Sequence, residues 1–235
     1  LRARLEEARK KFSNESLELR LKADDIAKIR ILTDGSDVRT AAFHRIPRKT
    51  SKGKTFTDDI YCTNLEDGYC VYCASENPDL AQVRERFFLW VYVYYILHKN
   101  PVEPSWKSIE YSGMTLYKEE IQAVKLLKVG VGWGGYIVQK FAGTYNKYNT
   151  FLDRDYDWIR QGGSLTDTVY DLLPDDPSPM LENIKELQKH LPDLLQTIKG
   201  SSSLQAPSLI ESTVEKETEP SLLEKLRAKK PQSKN

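Results

Sequence analysis

Every cysteine in this 235-residue chain falls between positions 62 and 73, and a histidine precedes them in the pattern His44-x17-Cys62-x7-Cys70-x2-Cys73. Three cysteines cannot complete a disulfide framework and fit a reducing compartment. A Cys-x2-Cys pair sets two thiolates on one turn, and two further ligands from a preceding loop close a tetrahedron, the four-coordinate arrangement of structural zinc. Sulfur and imidazole donors favour zinc over magnesium or calcium. Four protein ligands leave no open position for water, so the expectation is one structural Zn2+ per chain and no metal catalysis. The alternative, three small buried thiols beside a surface imidazole, sits badly with a polar turn rich in Gly and Tyr. His98 and His190 lie outside the cluster and read as ordinary surface or satisfied histidines.

Between His44 and Cys62 stand Arg45, Arg48, Lys49, Lys52 and Lys54 against only Asp58 and Asp59, on a segment that reads as a loop from Arg45 to Thr57. A metal at both ends would hold these cations in one place, where they would attract phosphate with strong salt dependence. The total charge carries no such signal, since it is only +1. No apolar run approaches the roughly 20 residues that cross a bilayer, so the expectation is a soluble protein without a membrane partner. With 40% hydrophobic residues the chain can bury a proper core.

The strongest element is "FFLWVYVYYIL", a strand with Phe87, Leu89, Val91, Val93, Tyr95 and Leu97 on one face and Phe88, Trp90, Tyr92 and Tyr94 on the other. Four aromatics on a second face call for another layer or a flat ligand, and unpaired bases are such ligands. Trp90, Tyr92 and Tyr94 are therefore read as a stacking platform, edged by Arg84 and Arg86. Ahead of it, residues 1–15 read as an amphipathic helix. The alternating segments around Leu17–Leu21 and Ile29–Ile31 read as two strands, joined at Asp24-Asp25, with largely basic outward faces. Residues 117–129 read as a helix, and "GVGWGG" as a turn without the spacing of a dinucleotide site. Gly162-Gly163 separates two strands of a closing hairpin. A helix over 180–199 should break at Pro192. The tail, 200–235, has the composition of a linker, ending in "PSLLEKLRAKK". There the Ser221/Glu224 capping box and the stripe of Leu222, Leu223 and Leu226 suggest a helix that folds on a partner.

In order and chemistry these segments resemble the single-stranded-DNA-binding, helix-destabilising proteins of T-even-type bacteriophages. "KIRILTD", His44, the basic segment, Cys62 and "YCVYC" stand as that family's strand, zinc ligands and basic stretch do. "FFLWVYVYY", "DRDYDWIRQGG" and "DTVYDLLP" look like its barrel strands and Asp-rich turn. The resemblance covers residues 16–179. It implies a mainly β, α+β fold: an oligonucleotide-binding barrel with an inserted zinc subdomain at about 43–75 and peripheral helices. The implied function is non-enzymatic binding of single-stranded DNA in replication, recombination and repair, in the cytoplasm of a bacterial host. Phosphates would meet Arg45, Arg48, Lys49, Lys52 and Lys54, with Arg154 and Arg160 on the downstream turn. Replication or recombination proteins would dock through the tail, and self-association along DNA is a further expectation. RNA would serve stacking and phosphate contacts equally. A second class is a zinc-ribbon interaction protein whose basic segment faces RNA polymerase or a replisome enzyme. A zinc deaminase needs a His-x-Glu pattern and an open metal position, and "HRIP" supplies no such Glu.

Overall fold

A computed structural model describes residues 17–49, 53–131, 136–163 and 167–203. The expected helix of residues 1–15, most of "GVGWGG" and the leucine stripe of the tail lie outside these residues. The described chain is mainly an antiparallel sheet with a few helices. Its strands are β1 (Ile26–Ile31), β2 (Arg39–Lys49), β3 (Thr55–Tyr61), β4 (Val83–His98), β5 (Lys107–Tyr111), β6 (Met114–Gly130), β7 (Arg154–Gln161) and β8 (Val169–Pro177). Its helices are α1 (Asn64–Asp67), α2 (Pro78–Ala81), α3 (Tyr136–Tyr148), α4 (Glu182–Lys189) and α5 (Leu194–Ser203).

The strand β4 organises the sheet. Its N-terminal half pairs with β2, its C-terminal half with β1, and its other edge with β6 along most of its length. The strand path runs β3-β2-β4-β1-β7-β8, with β6 and β5 branching from β4. Among the described residues β3 and β8 do not pair, so the sheet is not closed. A backbone bridge joins Glu18 to Leu126 of β6, where the sequence pattern suggested a longer strand.

Both faces of β4 are core. Phe87, Leu89, Val91 and Val93 pack with Ile29, Ile31, Leu127, Phe141 of α3 and Trp158. Phe88, Trp90 and Tyr92 pack with Phe43, Val124, Leu126 and, from the C-terminal helices, Ile184, Leu194 and Ile198. Burial of such aliphatic side chains is worth roughly 1.5–3 kcal/mol each. The two-face reading of β4 holds as far as Val93. A register shift between Val93 and Tyr95 then sends Ile96 into the first cluster and Leu97 into a third, with Ile26 and Leu116.

Three sequence expectations are corrected. Residues 117–129 form strand β6 rather than a helix. There Leu127 and Val129 enter one core and Val124 and Leu126 the other, with Lys125 and Lys128 between them, while the spacing of Tyr117, Ile121 and Val124 imitates one face of a helix. Of the stretch expected as a loop, residues 45–49 continue β2 and residues 55–57 open β3, in a cross-strand register from Phe43 opposite Tyr61 to Lys49 opposite Thr55. The basic outward face of β1 is internal: Arg30 is buried against Asp155 (2.6 Å), and Lys28 lies between Asp157 (2.9 Å) and Asp175 (2.6 Å). The hairpin at Gly162-Gly163 is present as β7–β8. A Cβ at Gly162, where φ is 84°, would collide with the Asp167 carbonyl. The helix break at Pro192 is present as the gap between α4 and α5.

Candidate metal centre and the hairpin arm it anchors

His44 lies on β2, where its neighbours pair with β3 on one side and it meets Val83 of β4 on the other. Cys62 follows β3 and donates its N–H to the Ala42 carbonyl at 2.8 Å, which draws its thiol beside the imidazole. The short α1 ends at Gly68, whose left-handed backbone (φ 69°) turns the chain back toward Cys70. Thr63 Oγ1 donates to the Tyr69 carbonyl at 2.7 Å, and the Ala74 N–H returns to the Cys70 carbonyl at 3.1 Å, closing the turn that carries Cys70 and Cys73. Downstream, the Asn77 side chain caps α2 with Pro78 in its first turn. That turn aims the Leu80 carbonyl at His44.

The four ligand atoms lie within 4.8 Å of one another. His44 Nε2 is 3.4 Å from both Cys70 Sγ and Cys73 Sγ, and Cys62 Sγ is 3.5 Å from Cys73 Sγ. A tetrahedron with metal–sulfur bonds near 2.3 Å and metal–nitrogen bonds near 2.0 Å has edges of about 3.5–3.8 Å. The set therefore has the size of a metal site. His44 Nδ1 donates to the Leu80 carbonyl at 2.8 Å, which leaves the Nε2 lone pair facing the sulfurs. Burial, with Cys62 and Cys70 adjoining, pushes the Cys73 thiol up to about 12. At Cys70 burial acts in the same upward direction, but backbone contacts at Cys73, Tyr72 and Thr63 prevail and hold it below the ordinary thiol value. Three thiolates packed this closely repel, and a divalent cation among them removes that repulsion. His44, Cys62, Cys70 and Cys73 could thus hold a metal ion.

Beyond His44 the ladder to β4 ends, and Arg45–Lys49 pair only with Thr55–Asp59 of β3. At about 3.3 Å per residue this makes a two-stranded arm of about 16 Å, rooted on the ligand cluster. Its two acids are already engaged. Arg48 pairs with Asp58 at 2.7 Å, and Asp59 receives Lys128 at 2.7 Å and Arg86 at 3.1 Å. Burial opposes the charge on Asp59, but Lys128 and Arg86 prevail and hold its carboxyl below the usual range. Lys49 and Lys54 are exposed near the tip, Arg45 is half-buried near the root, and Lys52 lies outside the described residues.

The remaining expected contacts divide sharply. Arg84 is exposed, with Gln82 as a hydrogen-bond partner at 3.4 Å. Trp90 and Tyr92 are only 4% and 6% exposed, covered by the C-terminal helices, and Trp90 Nε1 donates to the Pro192 carbonyl. The expected stacking platform is thus core. Tyr94 is half-buried and donates to Asp155 at 3.1 Å. Arg154 is buried, pairs with Asp153 at 2.8 Å and stacks 3.4 Å over the Tyr148 ring. Arg160 donates to the Leu21 carbonyl and to Thr168. Arg86, Arg154 and Arg160 are therefore committed to their own chain, because a cation in a β-rich core needs an internal acceptor. Sequence reasoning missed the Leu80 carbonyl, which no side-chain motif encodes. It also missed the exposed rings of Tyr69 and Phe56. The apolar-polar alternation at Phe56-Thr57 could have suggested a strand there.

Among the described residues no helix is long and apolar enough to cross a membrane. No family model, curated protein or solved structure matches this chain.

Proposed function

We propose that this protein binds single-stranded nucleic acid, DNA in the first instance, without catalysing a reaction, and that the metal held by His44, Cys62, Cys70 and Cys73 is a structural zinc. The observation that carries the reading is the arm: a ribbon rooted on four soft ligands, its own acids neutralised, with Lys49 and Lys54 exposed near its tip. A site with four protein ligands does no chemistry of its own, and its contribution is to fix the root of the arm. Clustered cations so held bind phosphate and release counterions. In this reading the long β4, paired to β1 and β2 along one edge and β6 along the other, is the spine of an open oligonucleotide-binding barrel. The resemblance to the helix-destabilising proteins of T-even-type phages points the same way.

A second reading, a protein-docking zinc module, draws on Tyr69 and Val71, which stand 62% and 60% exposed on the turn that carries Cys70. Titration of the purified protein with oligo(dT), with no partner present, separates the two. The expected result is binding whose log affinity falls by about 0.7 per log unit of salt for each phosphate neutralised. Lys49→Glu with Lys54→Glu should flatten that slope. A two-stranded ribbon can also enter the major groove of a duplex. Equal competition by duplex DNA would therefore defeat the single-strand reading, and absence of binding to either would favour the protein-docking module.

A further inference from the structure

We infer that Phe56 is the side chain on which the arm stacks an unpaired base, an inference that rests on the nucleic-acid reading above. Phe56 sits opposite Arg48 in the arm and is 41% exposed. Among the described residues it touches no other ring and no cation lies over it, whereas Phe43, Phe87, Phe141 and Phe151 each pack against another ring. Holding a large apolar ring in water gains the fold nothing.

Its surroundings say which ligand suits it. Strand alternation places Phe56, Asp58 and Ile60 on the same face as Cys62, so the ring projects from the side of the ribbon that carries the metal cluster, about 20 Å from Cys62 along the strand. Asp58, the acid next along that face, is paired to Arg48 at 2.7 Å, so no unpaired carboxylate of that face repels an incoming phosphate. Lys54 stands two residues away on the same parity, whereas Lys49, opposite Thr55, projects from the other face of the ribbon. An exposed flat apolar face on a basic ribbon is the pairing that single-strand binders use, and stacking accepts any base because every base has a π-face. The buried Trp90 and Tyr92 cannot serve in this way.

The test uses the full chain and two ligands, oligo(dT) and an abasic strand of the same length. Phe56→Ala should weaken oligo(dT) binding roughly 5- to 150-fold while leaving the salt slope unchanged, and Phe56→Trp should restore it. Affinity for the abasic strand should be the same in parent and Phe56→Ala, because only phosphates remain to be bound. If the parent binds oligo(dT) and Phe56→Ala binds it equally well, the stacking role is overturned and the nucleic-acid reading survives. If Phe56→Ala weakens both ligands alike, the ring supports the arm instead of a base, and the inference fails. If the parent binds neither strand, both readings fall together. The exposed position keeps a folding defect from mimicking the effect, and an unchanged melting temperature for Phe56→Ala checks this.

Discussion

His98 shows how a single residue can tie this fold to pH. The ring is buried, with Nδ1 2.9 Å from Asp25 and Nε2 2.9 Å from Glu119, and it stacks at 4.4 Å on Trp106. Burial disfavours the imidazolium, but the bonds to Asp25 and Glu119 outweigh it and raise the pKa above the ordinary value. A raised folded-state pKa contributes stability that is complete below the unfolded value, about 6.5, and is lost as pH rises through the folded one. Denaturant titrations should therefore show His98 stabilising the protein at pH 6 and progressively less above neutrality, with a slope of at most about 1.4 kcal/mol per pH unit. His98→Gln should remove that part of the pH profile. Stability that instead rose with pH over this interval, and lost the rise in His98→Gln, would contradict the assignment. The sequence showed His98 only as an ordinary surface or satisfied histidine, and burial settles it as the second. Its partners lie 73 and 21 positions away, so no local spacing announces the triad.

At the scale of an element, the arm and its root should separate under metal removal. Metal affinity at such a site is folding free energy for whatever the ligands organise. The ligands here join β2, the end of β3 and the turn after α1, while β4 is held by its pairing with β1 and β6. Elemental analysis of protein purified without chelator should find one zinc per chain. Chelation, or Cys73→Ser, should raise hydrogen exchange in residues 44–73 well before it does so in β1 or β7. Uniform loss of protection would mean that the metal supports the whole sheet. The ligand set was legible because Cys and His are rare and their spacing is short. The arm was not, because Arg, Lys and Thr in alternation carry little apolar period, and its strands are ordered by cross-strand pairing and a distant cluster. The helix expected over 117–129 failed for another reason: Tyr117, Ile121 and Val124 fall at helical spacing, and the irregularity at Gln122 (φ 48°), where the register to β4 shifts, interrupts the period of two that marks a strand.

For the whole molecule the question is whether the aromatic face of β4 is core or a platform beneath a movable cover. Ile184, Leu194 and Ile198 are all buried against Phe88, Trp90 and Tyr92. Polar ties add to this apolar contact: Gln188 Nε2 donates to the Leu32 carbonyl at 2.8 Å, Trp90 Nε1 donates to Pro192, and Lys199 pairs with Glu66 beside the metal turn. Three aliphatic side chains at roughly 1.5–3 kcal/mol each exceed the roughly 1–3 kcal/mol that one stacked base returns, so a strand would have to stack on every ring of the face merely to offset lifting these helices. Ile198→Ala discriminates between the two readings, because it loosens α5 while leaving every aromatic side chain in the sequence unchanged. If the face is core, the variant should lose about 2–5 kcal/mol of stability, measured by urea unfolding, and the protein that remains folded should bind oligo(dT) with the parent's affinity. If α5 were a cover over a working platform, the same loosening would tighten binding, and Trp90 fluorescence would respond to added oligonucleotide in the variant more than in the parent. The ion pairs and hydrogen bonds that Arg30, Arg154 and Arg160 make within their own chain favour the first outcome, since they leave the exposed lysines of the arm, and not the covered strand, to meet phosphate.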